Sequence, residues 1–108
     1  MDVSLKPCHE LSSDSIVMRS YTKAGRDDSA DVYVWLVEVS SDGKTVIRKL
    51  FLRSCPSLKA GAVCEQRVEL NKSGSTYVVA TTAQPRGAAF SNTMWQARDG
   101  MQAPRFTW

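Results

Sequence analysis

The sequence has a single histidine, His9, and none of the short patterns that announce catalysis: no GxSxG, no HExxH and no phosphate-cradling glycine loop. Catalysis needs titratable groups that converge in a pocket. His9 directly follows Cys8, and neighbours in an extended segment point to opposite sides, so the two do not form a nucleophile–base pair. An active site would require folding to gather His9, an acid such as Glu38 and a cysteine. The expectation is a protein that is not an enzyme and carries no cofactor. Metal chemistry is equally thin. Cys8, His9, Cys55 and Cys64 make a Cys3His set on paper, but zinc sites show two close-spaced ligand pairs, and Cys55 and Cys64 stand too far apart for one. Asp27, Asp28 and Asp31 lack the ordered spacing of a calcium loop and read as a solvated acidic turn.

Long apolar runs are missing too. Nothing approaches the roughly 20 residues that span a bilayer, so no membrane span is expected. Met1-Asp2-Val3 lacks the basic start and apolar middle of a signal peptide, which suits either a mature domain given a start codon or a cytosolic protein. Internal repeats, low-complexity tracts and helical periodicity are absent. Neither charge sign dominates: 14 Lys and Arg against 11 Asp and Glu leave +3. That balance mildly favours acidic partners, and falls short of the concentrated basic face of a dedicated nucleic-acid domain.

What is present is β sequence. A chain of 108 residues that is 43% hydrophobic and 23% charged can bury one core, and is expected to form one domain. Its organising stretch is 32–53, VYVWLVEVSSDGKTVIRKLFLR, two β-rich runs around Asp42-Gly43, a dipeptide suited to a two-residue hairpin turn. With that turn, Val39 faces Val46, Trp35 faces Leu50 and Tyr33 faces Leu52, with Arg48 opposite Val37 as the misfit. This nearly apolar face is expected to be core. The other face pairs Glu38 with Ile47, Leu36 with Lys49, Val34 with Phe51 and Val32 with Arg53, and should be partly wet.

The flanking chain supplies more strands. Residues 5–11 and 15–22 read as strands, and 23–31 as a polar loop. From Cys64 to Leu70 polar and apolar residues alternate, Asn71-Lys72-Ser73-Gly74 turns, and 75–84 returns as the second arm of a hairpin. Residues 88–97 read as a last strand, with Phe90 and Met94 inward and Trp95 opposite. The count of about seven strands at spacings of roughly 8–12 residues predicts an all-β, immunoglobulin-like antiparallel sandwich within 1–97, with Trp35 in the core. Residues 98–108 read as a loose tail, from which Phe106 and Trp108 could dock.

Cys55 and Cys64 bracket PSLKAGAV between two strand-like runs. A bridge there closes a short loop and stabilises by about 2–3 kcal/mol. Three cysteines in so small a chain suit an oxidising compartment, periplasmic or secreted, with Cys8 left odd or buried. The alternative is three reduced cysteines serving as small core residues.

Lys49, Phe51 and Arg53 alternate on the wetter hairpin face, with Lys44 and Arg48 nearby. Basic residues interleaved with an aromatic can grip a nucleic-acid strand by phosphate contact and stacking. In the alternative, Phe51 packs under a second sheet while the lysine and arginine extend to water.

Residues 68–95, VELNKSGSTYVVATTAQPRGAAFSNTMW, run strand, Asn-Lys-Ser-Gly turn, Val-Val strand, Gly turn and a strand ending in tryptophan. With the preceding hairpin, residues 32–95 resemble the small periplasmic immunoglobulin-like chaperones of curli assembly, at Leu70, Asn71, Val78, Val79, Gly87 and Trp95. The resemblance implies a non-enzymatic protein that keeps an amyloid-forming subunit from nucleating, through weak and largely electrostatic contacts. Its partner would be another protein chain, such as an unfolded or amyloid-forming subunit, held at Lys44, Arg48, Lys49, Phe51 and Arg53. Some members carry a Cys-x-Cys pair in an early strand. Trp35 and Val37 stand in the central strand here, and no redox role carries over. From a different class, the alternative is a small basic nucleic-acid-binding β domain.

Overall fold

Two antiparallel sheets form a sandwich in the computed structural model, which describes residues 3–24, 29–59, 61–84, 87 and 101–108. The strands are β1 (Val3–Leu11), β2 (Ser15–Ala24), β3 (Ser29–Val39), β4 (Val46–Lys59), β5 (Val63–Glu69), β6 (Thr76–Gln84), β7 (Met101–Gln102) and β8 (Phe106–Thr107). Among the described residues there is no helix. The first sheet runs β1-β2-β5, and the second runs β4-β3-β6, with β7 and β8 both paired to β6. The first, second and fifth strands thus oppose a sheet built on the third and sixth, the arrangement of an immunoglobulin-like sandwich with its fourth strand on the second sheet. The all-β class and the sandwich are as expected. The expected last strand, 88–97, with Phe90, Met94 and Trp95, lies outside the described residues, as do Asp27 and Asp28.

β3 is the hub because both of its faces are apolar. Val32, Val34 and Leu36 point between the sheets, where they meet Ile16 and Met18 of β2, Cys64 and Val68 of β5, and Tyr77 and Val79 of β6. Tyr33, Trp35, Val37 and Val39 point the other way and form a second buried cluster with Val78, Ala80 and Val46. The expected assignment of faces is therefore corrected. The Trp35 face is buried, but the inter-sheet core belongs to Val32, Val34 and Leu36.

The hairpin register is also corrected. Val39 pairs Val46 as expected, but Glu38 pairs Arg48, Leu36 pairs Phe51 and Trp35 pairs Leu52. Two of the three register shifts between β3 and β4, at Ile47 and Leu50, each insert one extra residue into β4, and each bulge shifts the partners and re-aims side chains; the third falls between Ala30 and Val32. The turn itself is wider than two residues. The Gly43 amide donates to the Ser40 carbonyl at 2.7 Å, the Ser40 amide donates to Thr45, and Gly43 takes φ +75°.

A further correction concerns β5 and β6, which lie in different sheets and do not form a hairpin. Their connection crosses the end of the sandwich and is tied to Trp108. The Ser73 and Gly74 amides donate to the Trp108 carbonyl at 3.0 and 2.7 Å, and the Trp108 amide donates to Ser75 at 3.1 Å. The indole N–H donates to the Leu70 carbonyl at 2.7 Å, and the Lys72 ammonium lies 4.9 Å from the ring centroid. Phe106 and Trp108, read as able to dock from a loose tail, are both buried. Arg105 in the same segment donates to the Asp42 carbonyl and covers Gly43, where a Cβ would collide with its side chain.

Two seams join the sheets at their sides. On one, Cys55 of β4 and Cys64 of β5 form a disulfide with Cα atoms 5.9 Å apart, joining edge strands of different sheets. On the other, His9 of β1 stacks on Phe106 of β8 with ring centroids 4.1 Å apart. In the interior, Thr81 of β6 donates to the Tyr33 carbonyl at 2.8 Å and shares a 2.7 Å hydrogen bond with Ser20 of β2.

Candidate functional site

β4 carries four of the five residues expected to touch a partner, and it ends its sheet, so its far side offers backbone groups without a neighbouring strand in that sheet. The bulges divide those residues between faces. Lys49 pairs Val37 and lies on the Trp35 face, whereas Phe51 pairs Leu36 and Arg53 pairs Val34, on the inter-sheet side. Lys49, Phe51 and Arg53 thus do not share one face as expected, because the extra residue at Leu50 interrupts the alternation. Phe51 is half-buried against the inter-sheet core, the alternative weighed for it. Arg48 donates to Glu38 at 2.6 Å, and that contact holds its guanidinium above its ordinary pKa. Lys44 sits in the turn, its amide donating to the Asp42 carboxylate at 2.9 Å. The Ser40 hydroxyl and then that amide hold the Asp42 carboxyl below its usual pKa. The exposed large apolar residues of β4 are Ile47 and Leu52, at 56% and 39%.

Arg53 lines a shallow cleft of about 260 Å³ with Val17 and Arg19 of β2 and Glu65, Gln66 and Arg67 of β5. Arg19 donates to Glu10 at 2.5 Å and to Glu65 at 2.7 Å, a row of charges across the outside of the first sheet. These two carboxylates raise the Arg19 pKa. Arg67 donates one N–H to the Ser15 hydroxyl at 3.1 Å. Arg53 has no hydrogen-bond or ion-pair partner among the described residues. Of the five residues expected at a site, only Arg53 reaches this cleft. Arg67 and Gln66 were not anticipated, although a signal existed: a Cys55–Cys64 bridge sets two edge strands side by side, so residues two before Cys55 and two after Cys64 approach each other.

The groups weighed for catalysis and metal binding are engaged separately. His9 packs on Phe106, and burial lowers its pKa. Cys8 is a free, half-exposed thiol paired across from Arg19, Cys55 and Cys64 are bridged, and Glu38 holds Arg48. Asp31, weighed for calcium, accepts the Ser57 amide of β4 at 2.9 Å and the Gly87 amide at 2.8 Å and so ties β4 to the turn at Gly87. No helix among the described residues is long and apolar enough to cross a membrane. No family model, curated protein or solved structure matches this chain.

Proposed function

We propose that this chain is a non-enzymatic binding domain of an oxidising, extracytoplasmic compartment, acting as a curli-type assembly chaperone that holds an aggregation-prone protein chain and delays its nucleation. The observation that carries this reading is β4. It is a long strand at the edge of its sheet, with exposed Ile47 and Leu52 beside the basic residues Arg48, Lys49, Arg53 and Lys59. An extended chain can add to such an edge through its backbone while basic side chains select acidic neighbours. The register shifts along β4 keep the edge from pairing indiscriminately, which suits brief capture better than stable co-assembly. The Cys55–Cys64 bridge is compatible with an oxidising location.

The nucleic-acid alternative loses support from the placement of Phe51, the aromatic on which a base would stack, since it packs toward the core. The test is the lag time of fibril formation by a purified curli-type subunit. Substoichiometric wild-type protein is expected to lengthen the lag, and the Lys49→Glu, Arg53→Glu variant to lose most of that effect. A wild-type protein that leaves the lag unchanged overturns the chaperone reading.

A further inference from the structure

We infer that the cleft between β4 and β5 is a carboxylate-binding site, and that Arg53 and Arg67 grip an acidic side chain of an extended protein segment lying along β4. This deepens the proposed function and rests on it for the identity of the segment's owner, but not for the chemistry of the site.

Arg19, Arg53 and Arg67 line the cleft against Glu65 alone, and Arg19 is already satisfied by Glu10 and Glu65. The guanidinium groups still open are those of Arg53 and Arg67. Arg53 is exposed and without a partner among the described residues, and Arg67 spends one of its five N–H donors on Ser15. A guanidinium presents parallel N–H groups that match the two oxygens of a carboxylate, so two of them at one cleft make a receptor for that group.

Geometry limits what enters. The cleft is shallow and open, which admits a side chain from an adjacent strand and would not enclose a free metabolite. Its floor is Val17, whose apolar surface suits the methylene groups of a glutamate. Glu65 also lines the cleft and would disfavour a continuous polyanion such as DNA or a sulfated polysaccharide, whereas isolated carboxylates spaced along a peptide avoid it. The Cys55–Cys64 bridge fixes Arg53 relative to Gln66 and Arg67, so the arginines are held near each other before any ligand arrives.

The experiment is a titration of the oxidised protein with an acetylated, amidated six-residue peptide alternating Glu and Val. Amide and arginine Nε–H resonances are followed by NMR, with the Gln–Val peptide as the neutral counterpart. Shifts centred on Arg53, Gln66 and Arg67 are expected for the Glu peptide and not for its counterpart. Arg53→Gln and Arg67→Gln should each weaken binding about tenfold, the value of one bidentate charge-assisted contact. Arg53→Lys keeps the charge and loses the fork, and is expected to fall between wild type and Arg53→Gln. Both arginines are exposed, and unchanged melting curves confirm that the variants fold. Equal binding of both peptides, shifts elsewhere on the surface, or Gln variants that bind as wild type overturns the site. Stronger binding of single-stranded DNA than of the Glu peptide overturns the choice of a protein partner. The fibril lag separates the two proposals: Gln variants that lose the peptide but still delay fibrils leave the cleft standing and remove it from chaperone action.

Discussion

The two seams of the sandwich close similar gaps by different physics. Cys55 and Cys64 are nine residues apart in sequence and joined by a covalent bond. His9 and Phe106 come from the first and last strands and are held by a ring stack over a core. The first needs an oxidant and little else. The second exists only if β8 and Trp108 are in place, so it draws its strength from everything packed behind it. The candidate cleft lies beside the covalent seam, while the other seam is anchored in the core.

The largest effect should come from breaking the packed seam. Trp108→Ala removes a buried indole and its bond to the Leu70 carbonyl, and is expected to cost about 3–4 kcal/mol in urea unfolding. A cost below about 1 kcal/mol would mean that the closing segment adds little. Next is the covalent seam. Reducing wild-type protein should lower stability by about 2–3 kcal/mol, with no further loss in reductant for a Cys55→Ser, Cys64→Ser variant.

Gly43→Ala tests how the closing segment meets the β3–β4 turn. Its positive φ and the overlying Arg105 predict a loss of about 1–2 kcal/mol, and removing the arginine in Arg105→Ala should relieve part of it. The smallest effect is that of pH on the aromatic seam. Burial lowers the His9 pKa, so the folded state binds that proton less readily than the unfolded chain. The stabilisation is complete above the unfolded value near 6.5 and is lost as pH falls through the folded value. Between pH 7.5 and 5.5 wild type should therefore lose more stability than His9→Gln, and equal slopes would remove desolvation as the cause.

Much of this architecture is legible in the residues. Alternation along 64–70 and the β-branched runs of 32–39 and 75–84 carry their strands, and the disulfide follows from two cysteines flanking a turn. What escapes is whatever depends on where a strand goes next. Asn71-Lys72-Ser73-Gly74 looks the same whether the chain returns in one sheet or crosses to the other. The bulges at Ile47 and Leu50 carry no glycine to mark them, yet they turn Arg48 and Lys49 to the faces opposite those of an unbroken hairpin, and so part Lys49 from Phe51. The candidate cleft escaped for a related reason, since Arg53 and Arg67 become neighbours only when two sheets meet at their edges.

The hydrogen bond between Thr81 of β6 and Ser20 of β2 joins the two layers at one point in their interior. Apolar side chains attract one another almost without regard to direction, so two greasy layers can sit at several offsets of nearly equal energy. A buried hydroxyl pair is directional, and every offset but one breaks the bond between the layers, leaving Ser20 without Thr81 while Thr81 keeps only the Tyr33 carbonyl of its own sheet. The pair therefore acts as a registration mark. It adds little to how firmly the layers adhere, and selects which of their possible alignments the molecule occupies.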